Sequence, residues 1–186
     1  GTFLSQHPQL YKAIRGIRAS HDFTHLHYAQ QKAIDDHLRD FHLSGVDLAK
    51  DKQSQYQNIQ KKLSELTAKF DQNVMDATDN WHLDVTDKKQ LAGLPEATLA
   101  IAADKAKAAE QSGWRLGIDQ PCYHAVLTYA QDRTLRETLY TAYVTRASEI
   151  GPQAGQYDNS QIMNDILAER HKLATLLGFD SFAEYS

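Results

Sequence analysis

The chain has 186 residues, one domain's worth at roughly 100–200 residues per domain, and is long enough to bury a core without disulfide or metal staples. Lys and Arg total 20 against 24 Asp and Glu, a net charge of −4, so it carries no electrostatic footprint for nucleic acid or an anionic membrane. Mean hydropathy is −0.58 with no long apolar run, which excludes a transmembrane helix, and the lone Cys122 excludes a disulfide framework or a multi-cysteine zinc site. One cysteine also suits a reducing compartment.

The chain opens with GTFLSQHPQL, without an initiator Met or a signal-peptide pattern, as if inside an element. A short amphipathic stretch over Tyr11 to Ile17 runs out at Ala19 and Ser20. Phe23, Leu26, Ile34, Leu38 and Phe41 then recur at helical spacing, and Gly45 in LSGV reads as a left-handed C-cap. From about Asp51 to Asp79, the residues Tyr56, Ile59, Leu63, Leu66, Phe70, Val74 and Ala77 form a seam at alternating steps of three and four. That pattern is made for packing.

The periodicity then changes. Trp81 to Val85 and Trp114 to Ile118 alternate like two short strands, which pair as a ribbon. Between them come a Thr-capped turn and an Ala-rich helix opened by Pro95 and closed by Gly113. Asp119 and Pro121 start PCYHAVLTYA. Asp132 caps a further helix with Leu135, Leu139, Ala142 and Ala147 on one side. After a Gly-rich loop, Asp158 or Asn159 caps the last long helix, through Ile162, Ile166, Leu173 and Leu177 to Gly178. DSFAEYS looks like another element cut off at Ser186. The whole reads as a piece of a longer, mainly α chain with one two-stranded ribbon (81–85 with 114–118). Long antiparallel helices fill 1–79, a strand–helix–strand insert 80–119, and helices 120–186.

Four groups are candidates for chemistry. His21 and His25, with His27 beside them, stand four apart as a zinc pair on a helix would, but Asp22 replaces the Glu of an HExxH motif. The plainer reading is a His-rich polar helix start. His171 follows Glu169 and Arg170 with Lys172 after it, which reads as a surface histidine among charge partners. Cys122 sits at a helix start, where the dipole lowers a thiol pKa, though such a residue is more often inert; His124, two residues on, faces elsewhere. Arg136, Tyr140, Tyr143 and Arg146, at steps of four, three and three, combine the residue types that favour recognition surfaces. The favoured alternative packs their rings between helices and pairs the guanidiniums with carboxylates such as Asp158 or Glu169. No GxGxxG, Walker loop, GxSxG, CxxC or HExxH is present, and no catalytic or metal-binding residue is assigned.

The strings LRETLYTAYVTRAS and GPQAGQYDNSQIMNDILAERHKLATLLGFDSFAEYS resemble the middle of the thimet oligopeptidase family of zinc metallopeptidases. KAIDDHLRDFHLSGVDL, QKKLSELTAKFDQNVMDAT and the LAGLP of residues 91–95 fit the same register, so the resemblance covers nearly the whole chain in order. The His-rich run near His21 and the pair Glu184–Tyr185 depart from the family pattern. The resemblance implies a neurolysin-like, almost wholly helical fold of two lobes around a channel. It also implies a cytoplasmic endopeptidase that cuts short peptides, with one zinc held by HExxH and a later Glu. Those residues lie beyond the matching segment. The expectation is therefore a zinc enzyme as parent, with this chain as helical scaffold and channel wall, inactive and zinc-free by itself. Its partners would be short peptides and the rest of the same polypeptide, not nucleic acid or membrane, and exposed apolar surface would drive self-association. A non-enzymatic helical interaction module and a small metalloprotein built on His21, His25 and His27 are the competing classes.

Overall fold

The computed structural model describes residues 7–186; the opening GTFLSQ, read as the inside of an element, lies outside the described residues. The chain is mainly α with one small antiparallel ribbon, as its periodicities require. The described residues form two compact units, one from the residues up to Leu66 with Asp165–Ser186, the other from Thr67–Asn164.

In the first unit, α1 (Pro8–Ala19) starts with proline in its first turn, where no backbone donor is lost. A 3₁₀ turn over His21–His25 follows, and α2 runs Tyr28–Leu43. Phe23 and Leu26 therefore stand outside the helix their spacing suggested. Phe23 is buried instead beneath the turn, and the Gln31 amide donates to the Phe23 and Leu26 carbonyls to hold the break. Gly45 ends α2 as read: its N–H donates to the His42 carbonyl and that of Val46 to Phe41. Helix α3 (Lys50–Asn80) gives this unit Tyr56, which is buried with Leu173 and Leu177 of the C-terminal stretch, α7 (Ser160–Leu176) and its cap. Gly178 closes α7 in the same manner, donating to Thr175 while Phe179 donates to Ala174. A four-residue helix, α8 (Phe182–Tyr185), ends the chain under the Ser181 cap.

In the second unit, β1 (His82–Val85) pairs antiparallel with β2 (Trp114–Gly117), Leu83 opposite Leu116 and Asp84 opposite Arg115. Alternation puts the Leu83 and Val85 side inward and leaves the Asp84–Arg115 pair to close a two-pronged ion pair outside, 2.7 Å on each prong. Trp81 and Ile118 flank the strands without extending them, yet both are buried. Asp87, not Thr86, caps the following 3₁₀ turn (Lys88–Leu91), accepting from the Lys89 N–H. Helix α4 (Glu96–Ala108) packs on β2. It is closed by Glu110 at φ 56, with Gln111 donating to Ala106; Gly113 serves another purpose. A Cβ at Gly113 would stand 2.3 Å from the Val85 carbonyl oxygen, so the entry to β2 can pass the end of β1 only as glycine.

Helices α5 (Gln120–Tyr129) and α6 (Arg133–Val144) pack together over the ribbon's buried face, with Val126, Leu135 and Leu139 sealed in one core with Leu91, Leu116 and Ile118. Helix α6 stops at Val144, short of Ala147, whose φ of 53 turns the chain away. The Asn159 N–H bonds the Ala147 carbonyl there. Asn159 is itself buried: its carbonyl oxygen accepts from the Asn73 amide and its amide donates to the Phe70 carbonyl. The Asp158 carboxylate accepts the Ser160 N–H at the start of α7.

Candidate functional site

Helix α5 carries two candidate surfaces of the second unit. Asp119 caps it, accepting from the Cys122 N–H at 3.1 Å, and this fixes the direction in which the first turn projects its side chains. On one side Cys122 lines a cavity of about 250 Å³ with Ile101, Ala102, Lys105, Arg115 and Asp119. Both cations there are already neutralised, Lys105 by Asp119 at 2.8 Å and Arg115 by Asp84. Burial raises the Asp119 pKa, but the Lys105 bond and the Cys122 N–H outweigh it and hold the carboxyl below its usual range. Burial pushes the Cys122 thiol up, and the Asp119 charge adds to this, so the helix dipole does not prevail and the thiol stays protonated. The cavity thus has neither a free charge nor an activated nucleophile.

On the other side lies an aromatic stack. The Tyr123 and Tyr143 rings are nearly parallel, centroids 3.9 Å apart at 13°, and the Arg146 guanidinium lies 3.9 Å from the Tyr143 centroid. Two groups that close cannot share one face, so Tyr143 is sandwiched between Tyr123 and Arg146. His124 meets Tyr123 edge-on at 5.7 Å. Arg146 also donates to the Tyr143 carbonyl, which fixes it over the ring. Burial raises the Tyr123 pKa; the nearby Tyr140 and Tyr143 hydroxyls add to the rise and Arg146 opposes it.

The four-residue set read from the spacing is therefore split. Arg136 turns back to the Ala130 and Gln131 carbonyls, while Arg146 lies beyond the end of α6. Both guanidiniums bond backbone carbonyls, and neither pairs with Asp158. Glu169, almost fully buried, accepts instead from Lys62 at 2.8 Å and Lys172 at 2.9 Å, and these bonds hold its carboxyl low. Arg170 stacks over Phe182. His171 is exposed. Tyr123 is the member sequence reasoning missed; its stacking with a residue twenty positions on follows only from the α5–α6 packing.

His21 and His25 meet edge to face at 4.9 Å in the 3₁₀ turn, and His27 is the N-cap of α2, its carbonyl accepting the Gln30 N–H while its own N–H donates to the Gln30 side-chain oxygen at 3.0 Å. Three points of a turn and a cap do not converge on one centre. Among the described residues, no group of three or more His, Cys, Asp or Glu is placed to hold a metal ion. No described helix is long and apolar enough to cross a membrane.

Two family models match the chain: "Neurolysin/Thimet oligopeptidase, N-terminal domain" over residues 1–53 and "Peptidase family M3" over residues 126–186. The resemblance to the thimet oligopeptidase family thus has support from both ends of the chain. Among curated proteins, the chain is 49% identical over 185 residues to oligopeptidase A of Salmonella typhimurium and 50% over 182 residues to that of Escherichia coli. The Haemophilus influenzae oligopeptidase A is 45% identical over 185 residues. These alignments cover 98–100% of this chain but 27% of each relative, so the chain spans about a quarter of their length.

Proposed function

We propose that this chain is the helical scaffold and substrate-channel wall of a zinc-dependent, cytoplasmic oligopeptidase that hydrolyses short peptides, and that its own residues supply no zinc ligand. The observation that carries the proposal is the near-50% identity to oligopeptidase A along the entire chain. When bound, zinc would supply Lewis-acid activation of water in a part of the enzyme outside these residues. What this chain supplies is walls: closed hydrophobic cores that hold helices rigid against a peptide, and cations neutralised in place. Its partners in this reading are short peptides and the remainder of the polypeptide, and apolar surface that the remainder would cover drives self-association of the chain alone.

The test is direct. Purified chain should retain no stoichiometric zinc in equilibrium dialysis and should not cleave a quenched fluorogenic peptide. Turnover that a chelator abolishes, in a preparation free of other peptidases, would overturn the proposal.

A further inference from the structure

We infer that the Tyr123–Tyr143–Arg146 stack is a binding site for the terminal carboxylate of a short peptide. The inference rests on the peptide-directed reading above and names where this chain would touch the peptide. Arg146 is half-buried, and its only charge-assisted bond is to the Tyr143 carbonyl; among the described residues it has no carboxylate partner. Within this unit Arg115 is matched by Asp84, and Arg136 spends its Nη1 on two carbonyls, Ala130 and Gln131, whereas Arg146 bonds a single carbonyl. An unmatched one retains spare planar N–H donors suited to a two-pronged carboxylate contact.

The surroundings fit the same ligand. Tyr140 stands one turn before Tyr143 on α6, and Tyr123 and Tyr143 bring their phenols to the stack that holds Arg146, so the site offers hydroxyl donors beside one positive charge. Tyr140 is 51% exposed and opens the site to solvent. The stack is rigid on three counts: Tyr123 is set by the Asp119-capped first turn, Tyr143 is clamped on both faces, and Arg146 is tied to backbone. A preorganised guanidinium loses little entropy on capturing an anion.

The carboxylate could equally come from a peptide or be replaced by a free oxyanion, and the experiment separates them. A short N-acetylated peptide with a free C-terminus is titrated calorimetrically into the protein, alongside its C-terminal amide and inorganic phosphate. The acid should bind about tenfold or more tightly than the amide, the worth of one charge-assisted contact. In Arg146→Gln the acid should fall to the level of the amide, while Arg146→Lys should recover only part of the difference. Acid and amide binding alike, Arg146→Gln still discriminating, or phosphate matching the peptide would each overturn the inference. Should Arg146→Gln fail to fold, Tyr140→Phe, at an exposed ring, should weaken acid binding several-fold without changing the melting curve, and unchanged binding there would overturn it too. Binding is read without turnover. A chain that selects the acid but belongs to no peptidase fails the functional reading alone; a working peptidase that does not discriminate fails this inference alone.

Discussion

At the residue scale, His42 shows how much chemistry a pattern of spacings leaves out. Its Nδ1 lies 2.8 Å from the Asp47 carboxylate and its Nε2 lies 2.9 Å from the Leu177 carbonyl. Both partners are acceptors, so both ring nitrogens must donate, and the geometry asks for the imidazolium. Burial favours the neutral ring, but the Asp47 bond and charge and the Leu177 carbonyl outweigh it, and the pKa rises above the ordinary value. A group whose pKa is raised by folding lends stability that is complete below its unfolded value, about 6.5, and lost as pH climbs through the folded one. The protein should therefore melt lower at pH 8 than at pH 6, and His42→Gln should flatten the difference. Thermal melts at the two values check this, and an unaltered pH dependence in the variant would contradict it. None of this was legible in sequence, because Leu177 lies 135 positions away. The buried Asn73–Asn159 bond was hidden for the same reason. By contrast, the cap at Asp119 was readable, since a local bond leaves a local signature.

At the element scale, what was legible is what repeats. The seam from Tyr56 to Ala77 gave α3 to within a residue at each end, and strict alternation gave the ribbon with its two strands. The errors fall where tertiary contacts break a local pattern. Phe23 kept helical spacing with α2 although a 3₁₀ turn intervenes, and Ala147 kept it with α6 although the chain has already turned. The two caps assigned wrongly, Thr86 and Gly113, stand one residue and three residues from the groups that take those roles, Asp87 and Glu110. The LAGLP segment shows a further constraint that composition cannot reveal. Gly93 has φ 92, and a Cβ there would stand 2.2 Å from the Tyr129 carbonyl oxygen at the end of α5. Gly93→Ala should cost at least the 1–3 kcal/mol or so of a strained backbone, because the obstructing atom is backbone and cannot rotate aside. A chemical-denaturation curve measures it. A midpoint equal to that of the parent chain would show that the segment relaxes freely.

At the scale of the whole molecule, the chain makes two cores from one sequence, and α3 and α7 each contribute residues to both units. Among the described residues no group of three or more His, Cys, Asp or Glu could hold a metal ion; Glu169 is held by Lys62 and Lys172 and Asp84 by Arg115, burial pushes the Cys122 thiol up, and Arg146, on which the peptide-contact inference stands, bonds a single backbone carbonyl. The resemblance to oligopeptidase A could be read from the sequence because it lies in many short strings held in order, while the aromatic stack could not, because its members meet only through folding.

The channel-wall proposal is tested most directly by sequencing the native message past the codon for Ser186. The frame should stay open as far as an HExxH helix and a later glutamate, the zinc centre of which these residues would be the scaffold. An immediate stop codon would contradict it, and would leave a helical interaction module in place of a peptidase.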